Sequence, residues 1–127
     1  MSQLQKMLNL QNSLQERLGY NIDEMDAEER TRFIKEFSIH INQEINEMLY
    51  ELPYFKPWKD YSNMDSVAIA DAFNKARYEF IDAWHFILNI ALALGFSEDE
   101  LYDSYYAKNI ENHKRQDEGY THDKLYR

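Results

Sequence analysis

The chain has 127 residues, with 23 acidic side chains against 14 basic ones, a formal charge of −9 and no cysteine. It is long enough for one domain with its own core, and the missing cysteines exclude structural disulfides, thiolate zinc sites and a cysteine nucleophile. The negative balance argues against a nucleic-acid binder, whose affinity rests on a basic surface that releases counterions.

The opening residues, Met1-Ser2-Gln3-Leu4-Gln5, show no basic segment leading into an apolar one. No secretory signal is expected, and the chain is read as cytoplasmic. Apolar residues at Leu4, Met7/Leu8, Leu14 and Leu18 predict a first helix over about residues 2–18, closed at Gly19. Gln11 interrupts that stripe, and a buried amide needs partners. A nucleobase edge and a neighbouring backbone group are equally good ones. A second helix starts near Asp26, where Asp26-x-x-Glu29 resembles a capping box. It carries Phe33, Phe37, Ile41, Ile45 and Met48 on one stripe and stops at Pro53. The connector Pro53-Tyr54-Phe55-Lys56-Pro57-Trp58-Lys59 is aromatic and basic. Trp58 there suits either a plane that stacks on a nucleobase or a loop anchor.

A third helix is expected over roughly 66–94, closed at Gly95. Its run from Phe80 to Phe96 contains Asp82, His85 and Asn89 and falls short of the ~20 apolar residues of a membrane span. It reads as a buried central helix, which would hold Asp82 away from solvent. Ser97-x-x-Glu100 opens a fourth helix to about Asp117, before Gly119. With 3 glycines and 2 prolines, the expectation is a single all-α domain over residues 1–127.

Two carboxylate pairs carry the chemistry: Glu44-x-x-Glu47 in the second helix and Glu79-x-x-Asp82 in the third. Residues three apart share a helix face, and four carboxylates converging from two helices repel unless a divalent cation neutralises them. Oxygen-only ligands suit a hard ion, Mg²⁺ with Mn²⁺ as a substitute. Lys108, Asn112 and Arg115 share one face of the fourth helix, as phosphate contacts or as a salt-bridged surface. Tyr120 follows Gly119 and is placed to fold over the same site. His85 and Phe86 lie one helical step beyond Asp82. His85 alone reads more readily as a satisfied core histidine than as a base contact.

Several motifs together resemble the all-α nucleoside triphosphate pyrophosphohydrolases, a superfamily of MazG-like proteins and dimeric dUTPases. They are Met7-Leu8-x-x-Gln11-x-x-Leu14, Glu44-x-x-Glu47, Phe55-Lys56-x-Trp58-Lys59, Glu79-x-x-Asp82-x-x-His85-Phe86 and Lys108-x-x-x-Asn112-x-x-Arg115-Gln116-x-x-Gly119-Tyr120. The chain is most similar to the phage and Gram-positive dimeric dUTPases. The resemblance implies a MazG-like helical bundle, a homodimer, and Mg²⁺-dependent hydrolysis of dUTP, with dUDP as a further substrate, to dUMP. It implies that Glu44, Glu47, Glu79 and Asp82 hold metal and that Gln11, Trp58, His85 and Phe86 form the uracil pocket. Lys108, Asn112, Arg115 and Tyr120 would contact phosphate. Glu47 is the candidate catalytic base, finishing the deprotonation of a water that the metal has made more acidic. The competing readings are a MazG-like pyrophosphatase for another nucleotide such as dCTP, a di-iron carboxylate bundle and a non-catalytic acidic interaction module. The di-iron reading wants a second carboxylate-x-x-His motif, and no carboxylate lies three residues before His40, His113 or His122.

Overall fold

The computed structural model describes residues 1–119, all helices and connecting turns. Four helices occur in order, α1 (Gln3–Arg17), α2 (Ala27–Glu51), α3 (Ser66–Ala93) and α4 (Glu98–Asp117), with a short 3₁₀ turn at Ile22–Glu24. Their ends are chemical. Ser2, Asp26, Asp65 and Ser97 each accept a backbone N–H of the first turn, which satisfies donors that a helix start otherwise leaves open. The Ser97–Glu100 box is closed in both directions. Leu52, pushed to an extended φ/ψ of −77°/136°, ends α2 because the residue before proline avoids the helical region. Gly19 and Gly95 have positive φ, 95° and 81°, the left-handed turn that a residue with a Cβ adopts at a cost.

The chain forms two compact units, residues 1–94 and 95–127, each described by itself. In the first, α2 and α3 make the main pairing. Partners Phe37–Phe86 and Arg30–Ala93 run in opposite chain directions, so the two helices are antiparallel. Met7 and Gln11 of α1 meet Trp84 and Asn89 of α3, so α1 lies parallel to α3. Ile22, Phe33, Phe37 and Ala93 form the buried core, with Tyr20, Met25, Phe86 and Ile90 packed around it. Arg30 holds the closed end together, donating to the carbonyls of Met25 and Ala93, each at 3.0 Å.

One expectation is overturned. The apolar centre of α3 is not buried within its own chain. Phe80 and Ile81 are about half exposed, and Asp82 is exposed, because α1, α2 and the short 3₁₀ turn are what packs on this helix in the first unit and they leave part of it open. Among the described residues, no single helix is long and apolar enough to cross a membrane. In the second unit α4 contains no buried residue.

Candidate active site

The antiparallel pairing sets the register that brings the two carboxylate motifs together. Phe37 packs on Phe86 with ring centroids 5.4 Å apart. Two turns further along α2, which is two turns back along α3, Glu44 comes opposite Glu79 and Asp82. Ligand oxygens of these three residues all lie within 4.8 Å of one another. Glu47 is on the same face of α2 and adds its charge to that of the group.

Glu44 is the electrostatic centre of the cluster. Burial, then hydrogen-bonding reach to Glu79 and the negative charges of Glu47 and Asp82, push its pKa up to about 7. Its Oε2 is buried without a hydrogen-bond partner. A buried carboxylate oxygen with no donor, among other carboxylates, is a ligand set that fits a hard divalent cation.

A cleft of about 490 Å³ opens directly beside this cluster. Asp82 lines it at the acidic end, and Phe37, Phe86 and His85 supply aromatic walls. Gln11 and Gln15 of α1 reach it from the other side. Gln11 therefore lies at the wall of this cleft. Its partner is a side chain rather than a backbone group: Gln11 Nε2 donates to Asn89 Oδ1 at 2.7 Å, in a buried setting. A cleft of this size, with aromatic faces and a few amides, falls in the range of small-molecule sites.

Trp58 stands elsewhere. The loop between α2 and α3 is tied to itself, with the Lys56 amide donating to Tyr61 Oη at 3.2 Å and the Lys56 and Lys59 ammonium groups over the Tyr50 and Tyr61 rings. Trp58 is 79 % exposed on that loop and is not among the residues lining the cleft. In the second unit, Lys108 and Arg115 both pair with Glu111 of the same helix, Arg115 at 2.6 Å. Asn112 lies between them on that face. Tyr120 lies outside the described residues.

Sequence reasoning passed over two members of the cleft region, Gln15 and Asn89. Gln15 stands four residues after Gln11, on the same face of α1, and is 3 % exposed. Asn89 breaks the run Phe86-Ile87-Leu88-Asn89-Ile90-Ala91 and is completely buried. A polar residue inside an apolar run was the available signal for the second.

Comparison with known proteins bears on the family of the chain. A family model described as dUTPase matches residues 3–94 and 87–120. Among curated proteins, a dCTP pyrophosphatase of Enterobacteria phage LZ5 is 34 % identical over 141 aligned residues, covering 92 % of this chain and 82 % of the relative. A dCTP pyrophosphatase of Enterobacteria phage T4 is 30 % identical with the same coverage. A DNA replication protein of the same phage is 28 % identical, over 84 % of this chain and 33 % of that protein. No solved structure matches significantly.

Proposed function

Because the chain belongs to the dUTPase family, among the MazG-like nucleoside triphosphate pyrophosphohydrolases, we propose that it is a Mg²⁺-dependent diphosphatase for pyrimidine deoxynucleoside triphosphates. It releases the monophosphate and diphosphate. dUTP is the substrate suggested by the family match, and dCTP is suggested by the two phage relatives that carry that activity in their names. The observation that carries the reading is the convergence of Glu44, Glu79 and Asp82 within 4.8 Å beside an aromatic, amide-lined cleft.

Each part has a task. Glu44, Glu79 and Asp82 would hold the cation, which supplies charge neutralisation on the phosphate oxygens and makes the attacking water more acidic. Glu47, the exposed carboxylate at the edge of the cluster, accepts the water proton as the oxygen attacks phosphorus. Phe37 and Phe86, packed on each other, form one aromatic wall beside the base, and Gln11 hydrogen-bonds its edge. Lys108, Asn112 and Arg115 are assigned to phosphate on their shared helix face and the family likeness.

The enzyme is proposed to act as a homodimer, supported by an apolar cleft of about 640 Å³ between α1 and α3, which Leu10, Phe80, Ile81 and Trp84 line. The test of the function is hydrolysis of a nucleotide panel with and without Mg²⁺. Metal-dependent release of diphosphate from dUTP or dCTP is expected. Equal turnover of purine nucleotides, or turnover that survives chelation, would contradict the reading.

A further inference from the structure

Two amides, Gln11 and Asn89, meet between α1 and α3, and a third, Gln15, lies one turn further along α1. All are buried, Asn89 completely. Asn89 Oδ1 receives Gln11 Nε2 at 2.7 Å, while Asn89 Nδ2 and Gln15 Oε1 have no partner. A buried amide hydrogen without an acceptor is costly. Leucine at position 89 would continue the apolar run around it and avoid that cost. An asparagine here therefore calls for a task other than packing.

The contact itself points to the task. It commits the nitrogen of Gln11 to Asn89, which leaves the Gln11 carbonyl oxygen as the group offered to the cleft. Gln15 lines the same wall, but its unpartnered Oε1 is buried rather than offered to the cleft, and Asp82 at the acidic end belongs to the carboxylate cluster. The group this wall presents to a base is thus the Gln11 acceptor. A pyrimidine with an amino group at carbon 4 offers two N–H donors to such a wall. With the Gln11 carbonyl at the 4-position, an oxo group there sets lone pairs against lone pairs, and the one donor on that edge, the ring N3–H, lies a position away.

We propose that Asn89 is a positioning residue for base selection, holding Gln11 with its carbonyl toward the cleft so that cytosine is preferred over uracil. This rests on the reading of the cleft as the base site. Asn89 does not touch the substrate and acts through Gln11. Other members of the wall set how tightly the base is held, and Asn89 sets which edge is accepted.

The test is kcat/KM for dCTP and dUTP at fixed Mg²⁺, on the full-length wild type, Asn89→Leu and Asn89→Asp, with the thermal midpoint of each. The wild type is expected to favour dCTP. In Asn89→Leu the Gln11 amide is free to turn its N–H outward toward a 4-oxo group, so the dCTP:dUTP ratio should fall by about tenfold or more. Turnover of bound substrate should change far less, because the carboxylates are untouched. Asn89→Asp offers only acceptors to Gln11 and should keep the preference, rescuing what leucine loses. If Asn89→Leu does not fold, Gln11→Met removes the carbonyl that Asn89 positions, and the dCTP:dUTP ratio should fall by as much. A wild type that prefers dUTP overturns the inference, and so does a folded Asn89→Leu with an unchanged ratio or an Asn89→Asp with an inverted one. A wild type that hydrolyses neither nucleotide overturns the functional reading itself, and this inference with it.

Discussion

Three effects at Glu44 act in one direction: burial, hydrogen-bonding reach to neighbouring carboxyls and the charges of Glu47 and Asp82 all favour its protonated form, with a pKa near 7. A carboxyl group whose pKa is higher folded than unfolded binds its proton more tightly in the native state. Its stabilisation is fully present below about pH 4.5 and is lost as pH rises through about 7. The metal-free protein should therefore lose thermal stability between pH 5 and 8, by about 2 kcal/mol once solvent screening is allowed for. Mg²⁺ should restore more at pH 8 than at pH 5, since metal and proton compete for the same oxygens. Thermal melts of the wild type and Glu44→Gln check this, and the variant should show a flatter profile. At Glu47 the expectation is kinetic. Glu47→Gln keeps shape and removes the proton acceptor, so kcat should fall by about 100-fold or more with the melting curve intact, as steady-state kinetics beside a melt would show. Near-native turnover would remove Glu47 from the role of base. The carboxylates were legible in the sequence because i, i+3 spacing makes a face by geometry alone. Asn89 showed only as a polar break in an apolar run, since its importance appears when another helix supplies a partner 78 residues away. Asp82 was misjudged for a related reason. An all-round apolar helix shows that its faces are to be covered, without showing whether the same chain covers them.

At the level of elements, the ends of helices were the most readable part. Asp26, Ser97, Gly19, Gly95 and Pro53 act through local chemistry that needs no tertiary context. What the helices do to one another was harder to see, and Arg30 is the clearest case. In sequence it is one of several charged residues in the first turns of α2. In the fold its guanidinium reaches Ala93 O at the end of α3 and Met25 O before α2. It thus supplies donors and positive charge where a helix C-terminus has open carbonyls. Arg30→Ala should cost about 1–3 kcal/mol, in the range of hydrogen bonds to charged groups. The measurement is chemical denaturation. Arg32→Ala is the comparison, because Arg32 makes a solvent-exposed ion pair with Glu28 at 3.6 Å and should change stability by less than about 0.5 kcal/mol. Equal effects of the two substitutions would mean that the Arg30 contacts do not fasten α2 to α3.

For the whole molecule, the apolar surface between α1 and α3 decides what assembly to expect. Leu10 is 72 % exposed and Leu18 62 %, while Phe73, Phe80 and Ile81 stand near one half. Burying large aliphatic and aromatic side chains is worth about 1.5–3 kcal/mol each. A chain that left this many in water would forgo a large part of its available stabilisation. Leu10, Phe80 and Ile81, with Met7, Leu14 and Trp84, line a cleft running along both helices rather than being scattered singly, which is the pattern of an interaction surface. A second copy of the chain covers such a surface with matching chemistry, because a two-fold interface sets one patch against itself. Ile81→Lys places a charge on the rim of this cleft without touching the carboxylate cluster in its own chain. It should convert a dimer to a monomer at micromolar concentration, read as mass by sedimentation equilibrium. A charge buried without a partner at an apolar interface costs several kcal/mol, and each ~1.4 kcal/mol weakens association about tenfold. Asp71→Lys, an exposed change of similar size on the same helix away from the cleft, should leave the mass unchanged. If the wild type sediments as a monomer at these concentrations, the cleft is not a self-association surface.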